Sequence, residues 1–104
     1  MLVQTTWKAR PVTPEQAERM MATWGKIEAK FAERTDMERI NWYIAADGSS
    51  GSEVVKAADS DAALQFALET SLALGEFLEF ESKVVLDLDA AMPAIMNAME
   101  YAKG

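Results

Sequence analysis

An α+β fold built on a four-stranded antiparallel sheet is what this 104-residue sequence predicts. Three observations predict it. Four stretches alternate apolar and polar side chains, the period-two mark of strands. Three stretches place apolar residues every three or four positions, the mark of amphipathic helices. Their order along the chain is strand, helix, strand, strand, helix, strand, helix. The rhythm specifies an architecture and not a reaction.

The first strand covers Leu2 to Lys8, with Val3, Thr5 and Trp7 on one face and Leu2, Gln4 and Thr6 on the other. Arg10-Pro11 ends it. Thr13-Pro14-Glu15-Gln16 then reads as a capping box, with Thr13 at the N-cap, Pro14 at the tolerated first helical position and Gln16 reaching back. Ala17, Met20, Met21, Trp24, Ile27, Phe31 and Ala32 recur at helical spacing, which predicts a helix to about Arg34. Glu38 to Ala46 sets Ile40, Trp42 and Ile44 against Arg39, Asn41 and Tyr43, a second strand with large side chains on both faces. Asp47 to Ser52 is the turn-rich cluster, and Glu53 to Ala58 resumes strand character, so the pair predicts a β-hairpin.

Asp59, Ser60 and Asp61 supply capping residues for a second helix ending near Gly75. Its predicted apolar stripe is Ala63, Leu64, Ala67, Leu68, Ser71, Leu72 and Gly75. Glu79 to Leu88 is the cleanest alternating run, placing Phe80, Ser82, Val84, Leu86 and Leu88 on one face, and is expected to lie against the core. Asp87 or Asp89 then caps a short third helix, with Pro93 in or near its first turn and Met92, Ile95, Met96, Met99 and Tyr101 as its apolar content.

The resulting βαββαβα order is the split β-α-β arrangement of a ferredoxin-like sheet with one helix added at the C-terminal end, in one domain spanning residues 1–104. Two helices cover one face of such a sheet. Trp42, Tyr43, Val84, Val85 and Leu86 put apolar groups on both strand parities, so the uncovered face is expected to be apolar too. Leaving several such side chains wet would forfeit several kcal/mol at about 25 cal/mol per Å². A two-fold homodimer through the sheet is the simplest cover.

Composition narrows function. Half the residues are apolar and 26% are charged, as in a folded globular protein. The net charge of −7, with no basic cluster, argues against nucleic acid and anionic membranes as partners. No apolar run is long enough to span a bilayer, and the start of the chain alternates instead of showing a signal-peptide block, so a cytoplasmic protein is expected.

The strand, the long helix with a central Trp24, the hairpin with its aromatic second strand and Gly-Ser tip, and the late strand Phe80-Glu81-Ser82-Lys83-Val84-Val85 together resemble the dimeric α+β barrel superfamily. Within it, the likeness is nearest to a bacterial family known only as a domain of unknown function. The resemblance spans nearly the whole chain and rests on order and spacing. It implies a homodimer whose sheets face each other and, in each subunit, a pocket between sheet and helices. Some members of the superfamily are cofactor-independent monooxygenases of quinol-like substrates, some degrade haem, and others are binding or stress-related proteins. This chain has no histidine, so the usual axial haem ligand is missing, and so is a histidine base.

With neither histidine nor cysteine, the Ser-His-Asp and Cys-His arrangements, thiolate metal sites and the neutral-pH proton shuttle are all excluded. Neither a metal nor a cofactor is expected. Gly48 and Gly51 precede a strand and not a helix, so they mark a turn and not a phosphate loop. Glu79 and Glu81, about 7 Å apart along one strand face, continue into Lys83 as a solvated charged row. Asp87 and Asp89 lack the loop of oxygen ligands that calcium needs and read as caps. Met92, Met96 and Met99 share one side of the last helix, a spacing for packing against its own or a partner subunit.

The candidate ligand-binding residues are the aromatic set Trp7, Trp24, Trp42 and Tyr43, with Asn41 and Arg39 as polar companions. Core filling by the tryptophans is the competing reading. Alternation places Asn41 and Tyr43 on one face and Trp42 on the other, so all of them share a cavity only if the strand carries a bulge. The functional expectation is a small-molecule binding protein for an apolar or aromatic ligand held between sheet and helices. Alternatives are a non-catalytic assembly or regulatory module acting through its interfaces, and a cofactor-independent monooxygenase-like enzyme.

Overall fold

The computed structural model describes residues 1–103. It contains β1 (Leu2–Ala9), α1 (Pro14–Ala32), β2 (Met37–Ile44), β3 (Ser50–Ala57), α2 (Ser60–Leu74), β4 (Leu78–Val85) and α3 (Leu88–Ala102). The four strands form one antiparallel sheet in the order β2-β3-β1-β4. This is the ferredoxin-like α+β arrangement, with α3 as the added helix.

Local chemistry sets the boundaries. At Thr13 the hydroxyl accepts from the Gln16 amide at 3.2 Å, while the Gln16 side chain accepts from the Thr13 amide at 2.8 Å, completing the capping box. Asp59 caps α2 and Asp87 caps α3 in the same manner, each carboxylate accepting an amide three residues on at 2.8 Å. β3 begins earlier than its composition suggests. Ser50, Gly51 and Ser52 pair with Lys8, Trp7 and Thr6, and the hairpin tip shrinks to Ala45–Ser49, where Gly48 takes φ +74°. β4 ends at Val85, so Leu88 opens α3 instead of closing the strand. The last helix is 15 residues long and not short, and Pro93 lies in its second turn.

Register sorts the two sheet faces. Three rows cross the sheet beneath α1 and α2: Ile44–Gly51–Trp7–Phe80, Trp42–Glu53–Thr5–Ser82, and Arg39–Val55–Val3–Val84. The first row belongs to a core cluster of Trp7, Leu74, Phe77 and Leu78, and the third to a cluster of Met37, Val55, Ala57 and Ala63. The middle row is mostly polar and separates them. On the uncovered face the rows are Tyr43–Ser52–Thr6–Glu81, Asn41–Val54–Gln4–Lys83 and Glu38–Lys56–Leu2–Val85. Only Val54, Leu2, Val85 and Tyr43 are large apolar groups there, so the expected greasy sheet face is corrected to a predominantly polar one.

The second helix is rotated from its expected orientation. Ala62, Ala63 and Leu74 are buried, and Leu64, Leu68 and Leu72 stay 60%, 59% and 77% exposed. Ala63, Phe66 and Leu74 carry the packing onto the sheet because small residues at 62 and 63 let the helix approach β3.

Gly51 lies directly against Trp7, where a Cβ would overlap the indole ring. Gly51→Ala is therefore expected to lower stability by about 1–3 kcal/mol through overpacking. Gly25 in α1 has open space around its Cα, and Gly25→Ala is expected to raise stability by about 0.5–1 kcal/mol through helix propensity. Urea denaturation midpoints of the two variants check both signs.

Candidate functional site

Along α1, the positions 21, 24, 25 and 28 form one face, which looks over the edge strand β2. Trp24 stands at its centre. Its ring meets Trp7 edge-to-face at 5.7 Å and lies tilted over Trp42 at 6.1 Å. Together with Met21, Gly25, Glu28, Tyr43 and Ile44 these rings border a groove of about 540 Å³, within the range of small-molecule sites. Gly25 contributes by leaving room, since a side chain at that turn would stand in the groove mouth. Met21, Trp42, Tyr43 and Ile44 are all substantially exposed, at 63%, 45%, 67% and 65%. Such a run of wet apolar surface is the usual mark of a binding face.

Beneath Trp42 runs an ionic clamp. Arg39 donates from both terminal nitrogens to the Glu28 carboxylate, at 2.9 and 2.7 Å, and from Nε to Glu53 at 3.0 Å. Its planar guanidinium stacks 4.0 Å from the Trp42 ring centre and 4.7 Å from that of Phe31. A bulge between Arg39 and Asn41 makes this possible. Strict alternation would put Arg39 on the face of Asn41 and Tyr43, whereas the extra residue, Ile40, returns it to the face of Trp42.

The clamp answers a buried charge. Glu53 occupies the middle row, with only 15% of its side chain exposed. Burial pushes its carboxyl above the ordinary value, and the hydrogen bond and charge of Arg39 pull in the other direction. Burial disfavours the Arg39 cation as well, but its hydrogen bonds to Glu28 and Glu53 more than offset this and hold it charged. Deeper in, Thr5, Trp7, Glu53 and Thr70 line a void of about 30 Å³. Two buried polar atoms among the described residues have no partner, Trp7 Nε1 and Thr70 Oγ1, and both residues border this space. The orphaned indole N–H is fully buried and lies against Gly51.

The structure thus brings four of the six sequence candidates together: Trp7, Trp24 and Trp42 as walls and Arg39 as the support beneath Trp42. Tyr43 emerges on the uncovered sheet face and reaches the groove only at its rim. Asn41 does not join them, because it pairs opposite Val54 and faces away from the helices. Sequence reasoning missed Glu28, Glu53, Met21 and Gly25. Glu53 carried a usable signal, since a carboxylate two residues before the core-facing Val55 shares its face and requires a cation nearby.

Arg39→Met leaves Glu28 and Glu53 without their counter-charge and is expected to cost about 3 kcal/mol at neutral pH. Glu53 binds its proton more readily folded than unfolded, so the deficit shrinks as pH falls through its raised folded pKa and is largest above it. Thermal melts of Arg39→Met from pH 7 to pH 4 should show the gap to the parent chain closing on acidification. Adding Glu53→Gln should flatten that trend.

Three solved structures share the fold. A conserved protein from Methanosarcina mazei Go1 aligns with a TM-score of 0.52 and 14% identity over 80% of this chain and 92% of its own. SnoaB, a cofactor-independent oxygenase from Streptomyces nogalater, aligns at 0.53 and 15% over 81% and 91%. Rv0793 from Mycobacterium tuberculosis aligns at 0.55 and 16% over 84% and 97%. At these identities the likeness shows the ferredoxin-like α+β barrel fold. No curated protein matches the sequence. The family model for the domain of unknown function DUF3303 matches residues 1–99, so the chain belongs to the DUF3303 family, in accord with the resemblance read from its strands and helices.

Proposed function

We propose that the groove between α1 and β2 binds a small planar aromatic molecule. The observation that carries this reading is the apolar groove walled by Trp24 and Trp42 with Trp7 edge-on behind them. A flat ring system slid along Trp24 and Trp42 would withdraw apolar surface from water on both sides. A flat ring lies against the indole faces of Trp24 and Trp42 over its whole area, which an aliphatic chain does not, so an aromatic ligand is favoured.

Binding is favoured over turnover by the state of the nearby acids. Glu28 borders the groove and Glu53 the void behind it, and both carboxylates are engaged by Arg39. Both Glu28 oxygens and Glu53 Oε2 are occupied as acceptors of the Arg39 guanidinium. The likeness to an oxygenase concerns the fold, and the groove supplies a receptor for a planar molecule without a free acid-base group at its wall.

Titration with 1,4-naphthoquinone, a planar probe with carbonyl acceptors, is expected to quench tryptophan fluorescence saturably with one molecule bound per chain. Trp42→Ala, at an exposed edge position, should weaken binding tenfold or more, about 1.4 kcal/mol. Asn41→Ala, on the opposite sheet face, should leave the affinity unchanged. Quenching that rises linearly without saturation, or that ignores Trp42→Ala, overturns the proposal.

A further inference from the structure

Charge is distributed unevenly around the tryptophan groove. The bases of α1 are Arg19, Lys26 and Lys30. At one helical step of about 100° per residue, they fall roughly 200–240° around the axis from Trp24. Arg19 pairs with Glu76 at 2.9 Å, and Lys30 borders the cleft between α1 and α2. Glu28, by contrast, lies only about 40° from Trp24 and borders the groove itself. The helix thus turns its bases away from the groove and an acid toward it. On the other wall, β2 carries a single base, Arg39, and both Glu28 and Glu53 draw on it. Among the described residues that border the groove there is neither lysine nor arginine.

The clamp does not balance. One guanidinium meets two carboxylates, which leaves a negative charge uncompensated beneath Trp42. Both carboxylates are mostly buried, so solvent and salt screen that charge less than they would on an open surface. The rings add to it. The face of an indole carries the negative end of its quadrupole and attracts cations, and Trp42 already holds the Arg39 guanidinium in this way at 4.0 Å. Among the described residues, no cation stacks on Trp24.

We infer that the groove selects a planar aromatic cation, a quaternised or N-protonated heteroaromatic ring, over neutral and anionic rings of the same shape. The inference rests on the groove being the receptor proposed above and adds the charge of what it receives. An anion entering beside Glu28 would meet a carboxylate and no free base, so it would lose its hydration without a counter-charge. A neutral ring would gain the apolar contact with Trp24 and Trp42 and nothing further. A cationic ring would gain that contact, the attraction of the indole faces and the uncompensated charge of the clamp, all with the same sign.

Three quinolines of one size and different charge provide the test: 1-methylquinolinium, 4-methylquinoline and quinoline-4-carboxylate. Equilibrium dialysis of the full chain at low salt and mildly alkaline pH, where 4-methylquinoline is uncharged, should rank them in that order. The cation is expected to bind about tenfold more tightly than the neutral ring. Raising salt to about 1 M should narrow the gap. Glu28→Gln removes the surplus negative charge, and the ratio of the two affinities in that variant should fall by about threefold or more; a ratio taken within one protein cancels any general loosening of the groove. Glu81→Gln, which removes an equal charge from the uncovered sheet face, should keep the parent ratio. A 4-methylquinoline that binds saturably and is weakened by Trp42→Ala, beside a 1-methylquinolinium that binds no tighter, overturns the charge assignment and leaves the groove a receptor for neutral rings. A preference that Glu81→Gln reduces as much as Glu28→Gln overturns it too, since the whole chain's charge would then be the cause. Saturable binding by none of the three overturns both the assignment and the receptor on which it rests.

Discussion

A carboxylate placed on the covered face of a small sheet constrains much of what surrounds it. Glu53 sits mid-strand in β3, between the two apolar clusters, where an isolated anion would be prohibitively costly. Its cation comes from the neighbouring edge strand, and only because the bulge at Ile40 turns Arg39 inward. Arg39 has donors to spare, and two of them reach Glu28, which ties α1 across the edge of the sheet. The guanidinium plane then supports the Trp42 ring from below. One ionic contact thereby sets the strand irregularity, the seat of a helix and the orientation of the principal groove wall.

That constraint has a cost in packing. The polar middle row of Glu53, Thr5 and Ser82 divides the interior, and the Thr5 and Ser82 hydroxyls bond to each other at 2.9 Å. No residue of α1 is fully buried. The helix is held by half-buried Met20, Trp24, Ile27 and Phe31, by the Arg39 clamp, and by an exposed Arg19–Glu76 pair at 2.9 Å whose contribution in water is small. A helix secured mainly along one line leaves its other margin open. The groove bordered by Trp24 and Trp42 is that margin. The open groove and the incomplete core are two aspects of the same arrangement, since no side chain of the described residues fills the space between α1 and β2.

Much of this was legible in the sequence, and what was not has identifiable causes. The element order and caps were plain because Thr13, Asp59 and Asp87 act locally, through amides three residues away. The orientation of α2 was not, because apolar residues occupy two of its sides: Ala62, Ala63 and Phe66 face inward, and Leu64, Leu68 and Leu72 do not. Periodicity reports that a stripe exists and cannot choose between two. Alternation failed at Arg39 for a different reason, since a single inserted residue inverts parity and leaves no compositional trace. Gly51 read as a turn residue, yet it is a strand position emptied to admit Trp7. In the site, the tryptophans were visible as large rings at core-facing positions. Asn41 was not separable from them until the register with Val54 was known.

The location of the surplus apolar surface follows from the same topology. With the order β2-β3-β1-β4, the groove lies at the β2 edge, while the leucine flank of α2 is turned from α1, on the side away from that edge. Three strand spacings, about 14 Å, separate the two edge strands. A domain of this size buries a modest share of its surface, and a divided interior reduces that share further. The polar seam of Glu53, Thr5 and Ser82 keeps the two apolar clusters apart, and the groove stays open at the β2 edge above the Arg39 clamp.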